Sequence, residues 1–290
     1  MSTLAFCLIL FSAAMHALWN LLVKRSSDKT IYIWWMFVVS AILFTAVLPF
    51  LSGPFPRPSL HILILAAGGG LCFVLYHIAN GQAYHRGDLS LVYPLSQTSM
   101  LYVPLWGALL LGEVISTRGL CGIALVVIGV WCVQLRKLSL REALRPFRSL
   151  NEEAVRYALF AGFIYSIGAV IDKTGVTSYS PLYFTYLLVI FMLLFMSLNL
   201  LRPRYRGRIL AEWRKHPRLI LGAGPIMMGS FLTFRYGLKL APLSYAVPTR
   251  QVSILIGVLI GTLFLGETYG RIRLLAGCTI LAGVVLIRFS

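Results

Sequence analysis

The chain has 290 residues, 59% hydrophobic and only 12% charged, with a mean hydropathy of +0.83. A soluble domain carries roughly 25% charged residues, and so little polar side chain cannot cover an aqueous surface; a soluble globular protein is excluded, and lipid is the expected solvent. The net charge of +17 would suggest nucleic acid in a soluble chain. Here the basic residues fall in short gaps between apolar runs, the pattern that orients membrane proteins, so no nucleic-acid partner is expected.

Taken in order, runs of about 20 apolar residues, each long enough to cross a bilayer, are expected at 3–23, 31–51, 60–84, 89–111, 119–135, 155–175, 182–201, 218–240, 244–266 and 272–289. The first is read as a retained helix rather than a signal peptide. Its first charge, Lys24, follows the apolar run, and no small-residue cleavage site comes after it. Pro54, Pro56 and Pro58 punctuate the second gap. The stretch 136–154 is the longest polar segment and separates two sets of five runs, so it reads as a linker. All five cysteines (Cys7, Cys72, Cys121, Cys132, Cys278) lie inside apolar runs without metal-ligand spacing, which predicts neither a metal site nor a disulfide framework.

The two sets of runs are similar to each other. SLVYPLSQTSMLYVPLWGALLLGE at 90–113 lies over SYAVPTRQVSILIGVLIGTLFLGE at 244–267. At one constant offset, Ser90, Pro94, Gln97, Ser99, Gly107, Gly112 and Glu113 fall on Ser244, Pro248, Gln251, Ser253, Gly261, Gly266 and Glu267. A weaker echo puts Phe11 and Lys24 on Phe160 and Lys173. The expected organisation is an all-α membrane protein: a first five-helix unit at 1–135, a cytoplasmic linker at 136–154 and a second unit at 155–290. Five is odd, so the second unit enters the membrane from the opposite side, and the units are inverted repeats, an architecture of secondary transporters with the site at the repeat interface.

Of the 26 basic residues, nineteen lie in the gaps after the first, third, fifth, seventh and ninth runs or in the linker. Five (Arg57, Arg118, Lys173, Lys239, Arg288) lie toward the other side. The heavy side is expected to be cytoplasmic, with both termini outside an inner membrane.

The duplicated five-helix unit, the Pro-x-x-Gln in its fourth helix and the Leu-Gly-Glu endings at Leu111–Glu113 and Leu265–Glu267 resemble the drug/metabolite transporter superfamily, in its EamA-like ten-helix branch. The segment His16-Ala-Leu-Trp-Asn20 is similar to a subgroup associated with phosphonate utilisation. The resemblance implies alternating access around a central cavity, with amino acids, nucleotide sugars, phosphorylated metabolites or drugs as cargo.

Charges inside a span are costly and face a cavity or each other. Arg235 and Arg250 sit within the eighth and ninth runs, roughly 7–9 Å below the same face at 1.5 Å per residue. Two guanidiniums at one depth would grip a carboxylate, phosphate or phosphonate; the structural alternative is pairing with Asp172. Pro94 and Pro248 break the helix ladder at matching places. Gln97, Gln251 and Tyr93 beside them are expected to line the cavity, the alternative being a glutamine bonded to a freed carbonyl. His16 and His77 each lie seven residues from the basic end of their run, suited to relaying protons or to bonding between helices. Asn20 adds a further polar group. Trp19, Tyr76 and Tyr165 could form aromatic walls. Glu113 and Glu267 are expected to pair locally, with Arg118 or Arg271, and Gly257 with Gly261 to form a packing face.

The string GxxxxGK[ST] is absent from the sequence, as are HExxH and a nucleophile elbow. No cofactor, metal or catalytic residue is expected. The leading expectation is a secondary transporter for a small anionic or zwitterionic metabolite, for which a monomer suffices and a dimer is possible. A flippase for a lipid-linked anionic head group is the related alternative, and a membrane-embedded enzyme the alternative from another class.

Overall fold

The computed structural model describes residues 1–51, 55–87, 89–133, 135, 137, 139, 142, 144, 151–264 and 270–290, with the side chains of 89, 90, 261–264 and 270 left aside. Among the described residues the secondary structure is entirely helical: α1 (Thr3–Arg25), α2 (Lys29–Val47), α3 (Leu60–Arg86), α4 (Leu89–Ser96), α5 (Ser99–Leu111), α6 (Thr117–Cys132), α7 (Glu153–Ser178), α8 (Pro181–Leu200), α9 (Arg208–Lys215), α10 (Pro217–Leu240), α11 (Leu243–Arg250), α12 (Val252–Phe264) and α13 (Gly270–Arg288). Among the described residues six segments are long and apolar enough to cross a membrane: Thr3–Arg25, Lys29–Phe50, Leu60–Arg86, Glu153–Ser178, Pro181–Leu200 and Leu243–Ile260. Thr117–Cys132 is a shorter apolar helix.

Local chemistry sets the helix starts. Ser2, Asp28, Ser59 and Ser116 each accept a bond from a backbone N–H in the first turn of the helix that follows, satisfying donors that the helix leaves open. Gly112 ends α5 in the left-handed region, with φ +65°, a conformation that costs glycine little and that turns Glu113 back over the end of its own helix.

The expected spans 89–111 and 244–266 are each two helices in succession. The break falls three residues after each proline, not at it. At the first break the Gln97 N–H is shared between Tyr93 O and Pro94 O at 3.3 and 3.2 Å, and Thr98 N reaches only Leu95 O. At the second, Gln251 N reaches Pro248 O at 3.0 Å. Each turn tightens from four-residue to three-residue bonds, and the Ser96 and Thr98 hydroxyls bond back to Val92 O and Leu95 O. Each proline is the sixth residue of its short helix and has no N–H to bond the carbonyl four residues back, which weakens the ladder shortly before the break.

In the tertiary arrangement α3 runs along α7, α1 along α10 and α6 along α13. α2 and α8 pack on each other, α2 also on α10 and α8 also on α3. The broken pair α4–α5 lies on α7, and α11–α12 lies on α1. The main core joins α1, α2, α3, α7, α8 and α10, with Tyr32, Phe37, Phe184 and Leu188 fully enclosed. Where α6 meets α13, a Cβ on Gly122 would stand 2.7 Å from Gly283 O, and one on Gly283 2.5 Å from Gly122 O. Small residues set this approach.

Some expectations need correction. The gap at 202–217 contains α9, whose Glu212 is 3% exposed and accepts bonds from Ser27 N and Asp28 N at 3.1 and 3.0 Å. Gly257 does not pack against a helix: nothing lies within 4 Å of a Cβ placed there. Glu113 does not pair with Arg118, which donates instead to Phe289 O at 3.1 Å. Pro54, Gly266, Glu267 and most of the linker at 136–154 lie outside the described residues.

Candidate functional site: a cavity ending at Arg250

A cavity of about 1400 Å³ runs into the helical bundle. Its mouth is framed by Lys24, Asp28, Lys29, His85, Arg204, Arg208 and Arg273, which sit at the ends of α1 and α3, at the starts of α2, α9 and α13, and between α8 and α9. Its lining includes the polar side chains expected from the sequence to face a cavity: His16, Asn20, His77, Tyr93, Gln97, Arg235, Arg250 and Gln251. Pro94 and Pro248 are not on the wall; both are buried one turn behind it, so they shape the breaks without touching the contents.

The two arginines end in different situations. Arg235 is 3% exposed and its Nε donates to Asp172 Oδ1 at 2.7 Å; Asp172 is 2% exposed. Arg235 Nη1 also donates to Phe231 O at 3.3 Å. This guanidinium is neutralised inside the protein. Arg250, at the last residue of α11, has no carboxylate within 4 Å among the described residues. Its Nη2 donates to Ser230 Oγ at 3.2 Å and to His16 Nδ1 at 3.3 Å. Its guanidinium lies over the Phe234 ring at 4.3 Å, and its buried Nε has no partner. A buried donor left open costs roughly 1–3 kcal/mol, more for a charged group, so Arg250 carries an unmet hydrogen-bond donor.

The residues that hold Arg250 follow from α1 and α10. Ser12 Oγ donates to Ser230 O at 2.7 Å, and Ser230 Oγ to Ser12 O at 3.0 Å. These reciprocal bonds fix α1 against α10 and place Ser230 beneath the guanidinium. Sequence reasoning missed Ser230 and Phe234; the available signal was a serine in each of two apolar runs, the kind of group that bonds across helices in lipid.

Aromatic rings make the side walls. Tyr165 meets Tyr76 at 5.1 Å and Phe73 at 5.7 Å between centroids, and Tyr76 meets His77 at 5.2 Å. Trp19 stands edge-on to His16 at 4.8 Å. Trp19 Nε1 and Asn80 Oδ1 are buried without partners, and both residues border the cavity. The Gln251 amide approaches Gln97 Oε1 at 3.5 Å, so neither glutamine side chain is spent on a freed carbonyl.

The opposite end is sealed. Glu113 accepts from Leu243 N, Ser244 N and Ser244 Oγ at 2.5, 2.9 and 2.6 Å, occupying the start of α11 where a carboxylate is favoured. Lys173 donates to Leu238 O and Ala241 O, both at 2.8 Å, at the end of α10. Ser116 N donates to Tyr245 Oη at 3.1 Å. The cavity is therefore open at its basic end and closed at the other. Among the described residues no group of three or more His, Cys, Asp or Glu could hold a metal.

The sequence pattern of the EamA-like transporter family matches residues 3–135 and 154–289. An uncharacterized transporter of Archaeoglobus fulgidus is 27% identical over 245 residues, covering 84% of this chain and 82% of that protein. A protein solved by crystallography has the same fold, with a TM-score of 0.69 over 98% of this chain and 96% of its own length at 16% identity.

Proposed function

Because the chain belongs to the EamA-like transporter family, we propose that it carries a small anionic or zwitterionic metabolite by alternating access, as a secondary transporter of the inner membrane. That it is a multi-pass membrane transporter and not an enzyme follows from the family. The finer reading rests on Arg250: a guanidinium with no carboxylate within 4 Å among the described residues and with an open Nε, on the wall of a cavity of about 1400 Å³, suits a carboxylate, phosphate or phosphonate. Arg235, tied to Asp172, supports the site without contacting the cargo's charge. Gln97, Gln251, Tyr93, His16, His77 and Asn20 supply the polar and aromatic wall.

Ten spans in two inverted units, 1–135 and 155–290 joined by 136–154, is the architecture we read behind this site. Exchanging the two sets of five turns the α1–α10 packing into α7–α3, α2–α10 into α8–α3, and the broken pair α11–α12 on α1 into α4–α5 on α7; each of these pairs is present. The α6–α13 pair maps onto itself. Such a pseudo-two-fold lets one half rock against the other around a fixed site. With the basic face cytoplasmic, both termini lie outside and the cavity opens inward.

The test is a thermal-shift panel of amino acids, phosphonates and phosphorylated metabolites on purified wild type and Arg250→Gln, followed by liposome uptake of each hit. An anionic hit should bind Arg250→Gln about 10–100-fold more weakly, for a charged hydrogen bond of roughly 1.5–3 kcal/mol. Anions that bind both proteins equally would remove Arg250 from the site.

A further inference from the structure

We propose that His16 is a proton-binding site governed by Arg250, so that an anion reaching Arg250 is taken up together with a proton; the second half of this rests on the anion reading above. A guanidinium has only donors. The His16 Nδ1 that faces Arg250 Nη2 at 3.3 Å therefore accepts, and the ring proton of this neutral imidazole sits on Nε2. A proton can add only to the lone pair on Nδ1, and Arg250 occupies it. Adding one there would also set imidazolium against guanidinium, with no carboxylate within 4 Å of Arg250 among the described residues.

A bound anion removes both obstacles. Its oxygens are stronger acceptors than an imidazole nitrogen, and Arg250 Nε is already without a partner. As the guanidinium turns to the anion, Nδ1 is released while the anion cancels the charge beside it. The proton comes from water in the open mouth and forms one N–H bond at Nδ1. The coupling is reciprocal: a proton on His16 strengthens anion binding by the same factor.

The surroundings leave Arg250 as the controlling charge. From α10 comes Arg235, already held by Asp172 of α7. From α3 come Tyr76 and His77, from α7 Tyr165 and from α4 Tyr93, all without formal charge when neutral. The cavity wall contributed by α12 (Ser253, Ile254, Gly257, Val258, Ile260) has no titratable side chain. Lys24 of α1 and Lys29 of α2 lie at the mouth.

Trp19, edge-on to His16 at 4.8 Å, reports the event, because a protonated imidazole quenches a neighbouring indole far more than a neutral one. Its signal is the emission of each protein minus that of the same protein carrying Trp19→Phe. In purified wild type, the ratio of this emission at about pH 8 to that at about pH 5.5 is expected near one, rising roughly twofold in Arg250→Met and in wild type with benzoate, and flat in every His16→Gln sample. Arg250→Met removes the donor as well as the charge; Arg250→Gln serves as a second variant, and size-exclusion elution verifies folding. A flat ratio in folded Arg250→Met and Arg250→Gln overturns the proposal. Benzoate that raises the melting temperature of wild type yet leaves its emission flat overturns the coupling and leaves the anion reading standing. If benzoate does neither, the carboxylate reading fails, and Arg250→Met alone decides whether His16 is a site under Arg250 control.

Discussion

Gln97 and Gln251 hold the same place in the two halves of the sequence and meet inside the molecule, the Gln251 amide nitrogen 3.5 Å from Gln97 Oε1. Each sits where its helix breaks, Gln97 between α4 and α5 and Gln251 between α11 and α12. Residues related by a two-fold can touch only near its axis. On the two-unit architecture proposed above, the pair marks where the units face each other; both residues line the cavity. Cargo in the proposed site would contact both units at the points where their backbones bend.

Because the glutamines share one contact, losing either should forfeit what losing both forfeits. Gln97→Leu and Gln251→Leu are each expected to slow uptake. A double-mutant cycle on melting stability should show a coupling of about 0.5–1 kcal/mol, the scale of one neutral hydrogen bond. Single effects that simply add would show that the two side chains do not interact.

The Asp172–Arg235 pair makes a stronger prediction, since both partners are almost fully enclosed. Asp172→Asn leaves a buried guanidinium without its counter-charge, a change that costs about 3–5 kcal/mol. The melting temperature should fall sharply. Replacing both partners, as Asp172→Leu with Arg235→Met, should recover most of the loss, because two desolvation penalties disappear together. A single mutant as stable as wild type would mean that Arg235 has another anion to lean on.

The apolar runs were legible because a bilayer demands about 20 apolar residues in a row, and the start of α1 or α3 needs only a serine and a hydrophobic run. The cavity lining was legible too, since polar groups in an apolar run have few other places to go. What the residues alone did not reveal was partnership. Arg235 and Arg250 look equivalent in sequence, and only the path of α7 past α10 gives Asp172 to one of them. Glu113 sits beside Arg118 in sequence, yet Gly112 turns its carboxylate toward the start of α11, more than a hundred residues away. The α9 helix went unread because eight residues with Arg208, Arg214 and Lys215 look like a charged loop until Glu212 bonds the turn between α1 and α2 and Trp213 meets Trp35 of α2.

The α6–α13 contact depends on hydrogen in place of a side chain at Gly122 and Gly283. Gly122→Leu would drive a branched side chain into the Gly283 backbone, where even a Cβ is 2.7 Å from the carbonyl oxygen. Backbone cannot yield as a flexible side chain does, so a loss of about 1–3 kcal/mol is expected from overpacking alone. Gly229→Leu is the control, since nothing lies within 4 Å of its Cβ. Equal melting temperatures for the two variants would contradict a close helix approach at Gly122.

The seal beside α11 depends on one carboxylate, that of Glu113. Three donors from α11 converge on it, and Lys173 ties the end of α10 beside it. Glu113→Ala removes all three bonds and a favourable charge at a helix start, worth about 1–2 kcal/mol, so the ratio of unsealed to sealed molecules should rise by about tenfold. In a cysteine-free background, Thr174→Cys reads this directly: Thr174 borders the shallow hollow outside the seal together with Glu113 and Lys173. Its labelling by a membrane-impermeant maleimide should quicken by about that factor when Glu113→Ala is added, while a cysteine at the mouth, such as Ser27→Cys, should label more slowly as the molecule spends longer open on the other face. Unchanged rates at both positions would leave Glu113 a helix cap with no part in closing the cavity. A faster Thr174→Cys with an unchanged mouth would mean that the two faces open independently, which alternating access forbids.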